Sequence, residues 1–186
     1  MKGSLRFPHA WPAWSPEAHQ ELMDRIGVRR ALLSLSSPGV AVAAGPGARR
    51  VLARRVNEYA ADVRAARPDR FGFLASLPLP DVDAAIAEAA HALDDLGADG
   101  VVLLTNTLGT YVSDPSHEPL WAFLAQRRCV VLLHPTSPPG WESTAFGLPR
   151  PLMEFLFDTT RVVVALLLDG VLHRHPGVRL VVPHSG

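Results

Sequence analysis

The stretch from Gly72 to Thr105, GFLASLPLPDVDAAIAEAAHALDDLGADGVVLLT, decides the fold. Its opening run, Gly72–Leu77, is apolar without alternation and stops at Pro78, the pattern of a strand covered on both faces. From Asp81 onward the pattern changes. Val82, Ile86, Ala89, Leu93 and Leu96 recur at helical spacing on one face, and Gly97 follows as a C-terminal stop. Gly100–Thr105 is then a second continuous apolar run. Strand, helix and strand in that order make a β-α-β unit, whose right-handed crossover leaves the two strands parallel.

The same alternation extends in both directions. Upstream lie a strand at Ala31–Ser36 and a helix from about Arg49 to Ala66, which ends before Pro68. Downstream, a helix from about Ser116 runs through Leu120, Phe123 and Leu124 to Arg128 and leads into a strand at Val130–His134. Another helix, from near Pro151 to around Pro176, leads into a strand at Arg179–His184. All five strands read as buried on both faces. A first helix, Pro16–Ile26, precedes them, with Ser15 as its N-cap and Glu17 in its first turn. The fold class is therefore α/β with about five parallel strands, in a single domain spanning residues 1–186. Two architectures fit, an open doubly wound sheet and part of a (β/α)8 barrel. The chain is shorter than the ~250 residues of a complete barrel, and it stops just after an apolar strand.

Composition narrows the chemistry. Of 186 residues, 48% are hydrophobic and 19% charged, which supports a folded core and excludes a disordered chain. Eighteen basic residues balance eighteen acidic ones, so no charge excess marks a nucleic-acid or membrane partner. Lys2 is the only lysine, which leaves Schiff-base and P-loop chemistry without a candidate beyond the N-terminus. Cys129 is the only cysteine, so there is no intrachain disulfide and no Cys-rich zinc module. Met1–Pro16 carries Pro8, Pro12 and Pro16 and lacks the apolar core of a signal peptide. The apolar stretch Leu152–Leu172 is interrupted by Glu154, Asp158, Arg161 and Asp169, and reads as a buried helix rather than a membrane span. The expected compartment is the cytoplasm.

In either architecture, functional side chains gather beyond the carboxyl ends of the strands. Those ends read Ser36-Ser37-Pro38-Gly39, Pro78-Leu79-Pro80, Thr105-Asn106-Thr107, His134-Pro135-Thr136 and His184-Ser185-Gly186. A lone histidine at such a place is often only a hydrogen-bonded polar residue. Two, at the same depth on the last two strands, favour a metal or proton-transfer site. His173 and His175 imitate a His-x-His ligand pair, but they sit at the amino end of the last strand and suit a cationic helix terminus better. His91 and His117 read as solvent-facing, and His9 and His19 as without a role. Gly45-Pro46-Gly47 lacks the context of a dinucleotide fingerprint, and no Gly-x-Ser-x-Gly elbow is present. Cys129 reads as a small apolar residue entering a strand. The loop Thr136–Gly147 covers the expected mouth, and Trp141 in it either walls a ligand or packs the loop down.

With these residues the sequence resembles the amidohydrolase-related metal-dependent (β/α)8 enzymes, in particular the aminocarboxymuconate-semialdehyde decarboxylase group. The matching stretches are Asp69–Phe73 through Leu77-Pro78, Gly97–Val101 and Val131–Pro135. They continue with Phe157–Arg161, Gly170–Leu172, His175-Pro176 and Val182–Gly186. The resemblance implies a divalent metal, usually zinc, at the carboxyl end of the barrel. It aligns His134 with a metal ligand on the family's fifth strand and His184 with a catalytic histidine on the sixth. The five strands would then be the family's strands two to six. The His-x-His pair of the first strand and the aspartate of the eighth have no counterpart, so the chain reads as an incomplete barrel, truncated at both ends and without activity by itself.

The function this implies is a metal-dependent, non-oxidative carboxy-lyase acting on a small unsaturated or aromatic carboxylic acid, with Asn106 and Trp141 as substrate-binding residues. A hydrolase on the same metal site is the alternative within the family. A non-catalytic α/β binding domain that has lost the metal is the alternative outside it. A homodimer is compatible with either.

Overall fold

The computed structural model describes residues 13–184; Lys2, His9, Ser185 and Gly186, named above, lie outside that range. Five parallel strands form one sheet in the order β1 (Ala31–Leu33), β2 (Phe71–Ser76), β3 (Gly100–Leu104), β6 (Val130–His134) and β7 (Arg179–Val181). Between β3 and β6 in the chain, β4 (Asn106–Thr107) and β5 (Thr110–Tyr111) make a separate antiparallel hairpin. Among the described residues the order of the five strands never reverses. A doubly wound sheet reverses at a switch point, so this order is that of a barrel. The sheet also curls as a barrel does. Ser37 beyond β1 and Thr136 beyond β6 bring their hydroxyl oxygens within 2.6 Å, although three strand-to-strand steps separate them in the sheet.

The helices are α1 (Pro16–Ile26), α2 (Pro46–Ala66), α3 (Val82–Ala90), α4 (Glu118–Gln126), α5 (Glu154–Leu168) and α6 (Val171–Arg174). Their ends follow local chemistry. Ser15 caps α1 by accepting from the amide of Ala18 at 3.1 Å, and Asp81 caps α3 by accepting from Ala84 at 3.1 Å. The long final helix expected from Pro151 to Pro176 is divided. Gly170, at φ 69°, takes the left-handed conformation that ends α5 and starts the short α6. On α3 the deepest residues are Ala85 and Ala89, followed by Ala92 in the π-helical turn His91–Asp95, so small side chains let the helix lie close to the sheet.

Complete burial of all five strands is not observed. β2 is buried throughout and β3 nearly so, whereas β6 alternates and β1 and β7 are half-exposed. β1 and β7 are edges of the sheet, and an edge strand has a neighbour on one side only. In β6, Val131 and Leu133 join the main core with Trp121 and Leu124 of α4 and Val162 and Leu166 of α5. β1 also ends early, at Leu33 rather than Ser36. Beyond that point the side chain of Asn57 takes over as partner of β2, its Oδ1 accepting from Ser76 N at 2.8 Å and its Nδ2 donating to Ser76 O at 3.0 Å.

Candidate active site

The loops beyond β1, β3 and β6 enclose an open cavity of about 1170 Å³ at the carboxyl ends of the strands. Both substrate-binding candidates line it, as do Ser37, Thr136, Arg150 and Phe155. Trp141 opens a 3-10 turn, Trp141–Ser143, with the guanidinium carbon of Arg150 5.0 Å from its ring centroid. Asn106 is buried and fully engaged. Its Nδ2 donates to Ser137 O at 3.1 Å and to Asp158 Oδ2 at 3.3 Å, and its Oδ1 accepts from Gly109 N at 3.2 Å. Asn106 therefore shapes the wall more than it offers free donors to a ligand.

His134 and His184 come together. Their ring centroids are 5.4 Å apart with the planes at 89°, an edge-to-face arrangement. His134 ends β6, and His184 follows β7 with φ 64°, a left-handed conformation uncommon outside glycine. Phe155 stands edge-on to His134 at 6.3 Å and also lines the cavity, so it joins the histidine pair to the cavity wall. The Nδ1 of His134 lies 2.7 Å from the carbonyl oxygen of Pro135. A carbonyl only accepts, so Nδ1 carries the proton, and in the neutral ring Nε2 keeps its lone pair. Burial lowers the pKa of His134, against the raising effect of the Pro135 carbonyl, and the neighbouring His184 adds a smaller lowering effect.

That tautomer suits a metal donor, because a ligating imidazole is usually held through its other nitrogen. A catalytic zinc site draws on about three protein ligands. Among the described residues no group of three or more His, Cys, Asp and Glu side chains is placed to hold a metal. The described residues thus supply the Nε2 lone pair of His134 and no complete metal site.

The other histidines resolve individually. His173 is exposed at the end of α6, and His175 is engaged with Glu118 at 2.8 Å. His117, expected to be exposed, is 1% exposed, because the 3-10 turn Pro115–His117 turns it inward; burial lowers its pKa. His91, expected to be solvated, is partly buried in the π-helical turn, where its Nδ1 meets Asp95 at 2.8 Å.

The largest feature absent from the sequence reading is a buried polar cluster beneath the cavity. Asp158 on α5 is fully buried. Its carboxylate accepts from Thr105 Oγ1 at 2.5 Å, Tyr111 OH at 2.7 Å and Arg161 Nη1 at 2.6 Å, as well as from Asn106. Burial, then the bond to Asp158, push the Tyr111 phenol up to about 12. The available signal was the acidic residue interrupting an apolar helix.

The amidohydrolase profile matches residues 7–186. The chain belongs to the amidohydrolase family. Among curated amidohydrolase relatives, it is 40% identical over 191 residues to decarboxylase yanB of Aspergillus niger, covering 96% of this chain and 52% of that protein. It is 38% identical over 184 residues to 6-methylsalicylic acid decarboxylase acuB of Aspergillus aculeatus, covering 96% of this chain and 56% of that protein. The 2,6-dihydroxybenzoate decarboxylase from Rhizobium superposes with a TM-score of 0.83 at 29% identity, over 89% of this chain and 55% of that one. The chain spans about half the length of these proteins, and its five strands are part of an amidohydrolase (β/α)8 barrel.

Proposed function

We propose that this chain is the half of an aromatic-acid decarboxylase that carries the fifth- and sixth-strand histidines. The observation that carries this reading is the edge-to-face pair of His134 and His184, which reaches the cavity wall through Phe155. Relatives named as decarboxylases of 6-methylsalicylic acid and γ-resorcylate, at 32–38% identity, support the reaction class. The substrate is a small aromatic carboxylic acid. The enzyme is cytoplasmic and homodimeric; net charge zero, and no helix among the described residues long and apolar enough to cross a membrane, support an enzyme without membrane or nucleic-acid partners.

His134 would be one donor to a divalent metal, zinc, which would supply Lewis-acid polarisation of a substrate oxygen. His184 transfers the proton. As imidazolium it delivers a proton to the ring carbon bearing the carboxylate. The bond from that carbon to the carboxylate then breaks, its electron pair restores the aromatic ring, and CO2 leaves. His184 is exposed, so water can return the proton. Trp141 and Phe155 wall the ring, and Asn106 holds the wall in shape.

The test is release of CO2 from 6-methylsalicylate and from 2,6-dihydroxybenzoate by the full-length protein containing this chain. Release that slows at least a hundredfold in His184→Ala supports the reading, with ~10²–10⁴-fold the usual contribution of a positioned proton donor. Absence of release with every aromatic acid, from a folded and metal-loaded protein, refutes it.

A further inference from the structure

Arg150 is the only cationic side chain, and Glu142 the only acidic one, among the described residues lining the large cavity. Several arginines elsewhere are paired with carboxylates, as in Arg54 with Glu88 at 2.9 Å and Arg127 with Asp94 at 2.8 Å. Arg150 is held differently. Its Nη1 donates to Ser137 Oγ at 2.8 Å and its guanidinium lies against Trp141. Both contacts orient the group without neutralising it. A guanidinium has five N–H donors in a planar fork that matches a carboxylate, and here one of them is bonded among the described residues. Pro138, Pro139 and Phe155 line the same cavity, apolar groups that suit an aromatic ring.

We propose that Arg150 is the specificity-determining residue that selects an aromatic acid over its neutral counterpart, by binding the anionic group while the ring packs against Pro138, Pro139 and Phe155. The proposal rests on the decarboxylase reading and adds to it. Loss of CO2 turns the anionic acid into a neutral phenol. A guanidinium that holds the first by charge holds the second weakly, so the same residue favours substrate entry and product release. Lysine would not replace it fully, because an ammonium keeps the charge and loses the fork.

The experiment measures equilibrium binding of 6-methylsalicylate and of 3-methylphenol, the product of its decarboxylation, to the 186-residue chain by ligand-observed NMR. The variants are Arg150→Gln and Arg150→Lys, with circular dichroism to confirm folding. The native chain binds the acid more tightly than the phenol. Arg150→Gln weakens the acid about tenfold, the effect of one charge-assisted contact, and leaves the phenol unchanged. Arg150→Lys falls between. Equal binding of acid and phenol by the native chain, binding of neither, or an equal loss of both in Arg150→Gln overturns the proposal. CO2 release by the full-length protein separates it from the underlying reading. Discrimination through Arg150 without any CO2 release refutes the decarboxylase alone; CO2 release with an unchanged KM in Arg150→Gln refutes the role of Arg150 alone.

Discussion

The phenol of Tyr111, on the hairpin after β3, donates to the fully buried carboxylate of Asp158 on α5 at 2.7 Å. Two segments far apart in sequence are thereby fastened beneath the cavity. Thr105 and Asn106 donate to the same carboxylate, so the end of β3 and both strands of the hairpin depend on one acidic side chain.

Replacing Asp158 by Ala leaves these hydroxyl and amide donors without an acceptor. Each orphaned buried group costs about 1–3 kcal/mol, and we expect a total loss near 3 kcal/mol in urea unfolding. The Tyr111 phenol, held at about 12, falls toward its ordinary 10 in a spectrophotometric titration, with Tyr111→Phe identifying the signal. Because the native pKa lies above the unfolded one, this group's contribution to stability is complete below pH 10 and is lost as the pH rises to about 12. An unchanged phenol titration in the Asp158 variant contradicts the arrangement.

The 186-residue chain alone binds zinc weakly, because His134 is the only donor of the expected set that it contributes. Isothermal titration and dialysis against a chelator measure this directly. Stoichiometric zinc that survives the chelator would mean that histidines assigned no ligand role supply donors.

In the full-length protein, His134→Ala lowers metal content and turnover together. His184→Ala keeps most of the metal and slows turnover ~10²–10⁴-fold, the usual contribution of a positioned proton donor. His173→Ala changes neither. Metal analysis and CO2 release on the same preparations decide it; a variant pattern with the two roles exchanged reverses the assignment.

Glu118 accepts from Arg174 at 2.8 Å and meets His175 at 2.8 Å; these partners, Arg174 first, bring its carboxyl down to about 2. A carboxyl lowered on folding stabilises above its unfolded value of 4.5, and that contribution disappears as the pH falls toward 2. Urea midpoints from pH 5 to 2 therefore decline less steeply in Glu118→Gln than in the native chain. The difference shrinks in high salt, because Glu118 is partly open to solvent. Parallel declines would show that the pair carries no linkage.

A methyl group at Gly100 would stand 2.3 Å from the carbonyl oxygen of Val130 on β6. The backbones of β3 and β6 approach too closely there for any side chain. Gly100→Ala forces the strands apart and costs about 2 kcal/mol or more, read as a lowered thermal midpoint. A midpoint within a degree of the native chain refutes this.

Much of the architecture was legible because it is local. Pro16–Ile26 was announced by Ser15 just before it and Glu17 in its first turn, and the apolar runs of β2 and β3 identified themselves. The hairpin was not legible, because its turn residues are Leu108 and Gly109, both at positive φ, and leucine gives no turn signal. His134 and His184 could be paired from strand position alone, since parallel neighbours present their ends side by side. The Asp158 cluster and the inward turn of His117 could not. Both depend on which groups meet after the chain has closed, and neither leaves a periodic trace.

The uninterrupted strand order also bears on how the molecule is made. Each strand of the sheet lies beside the one synthesised before it, so a chain emerging from the ribosome meets its template already in place. β2 can settle on β1, and β3 on β2, without waiting for the carboxyl-terminal residues. Assembly then advances like a staircase built from the bottom, and the histidine pair forms when β7 settles on β6.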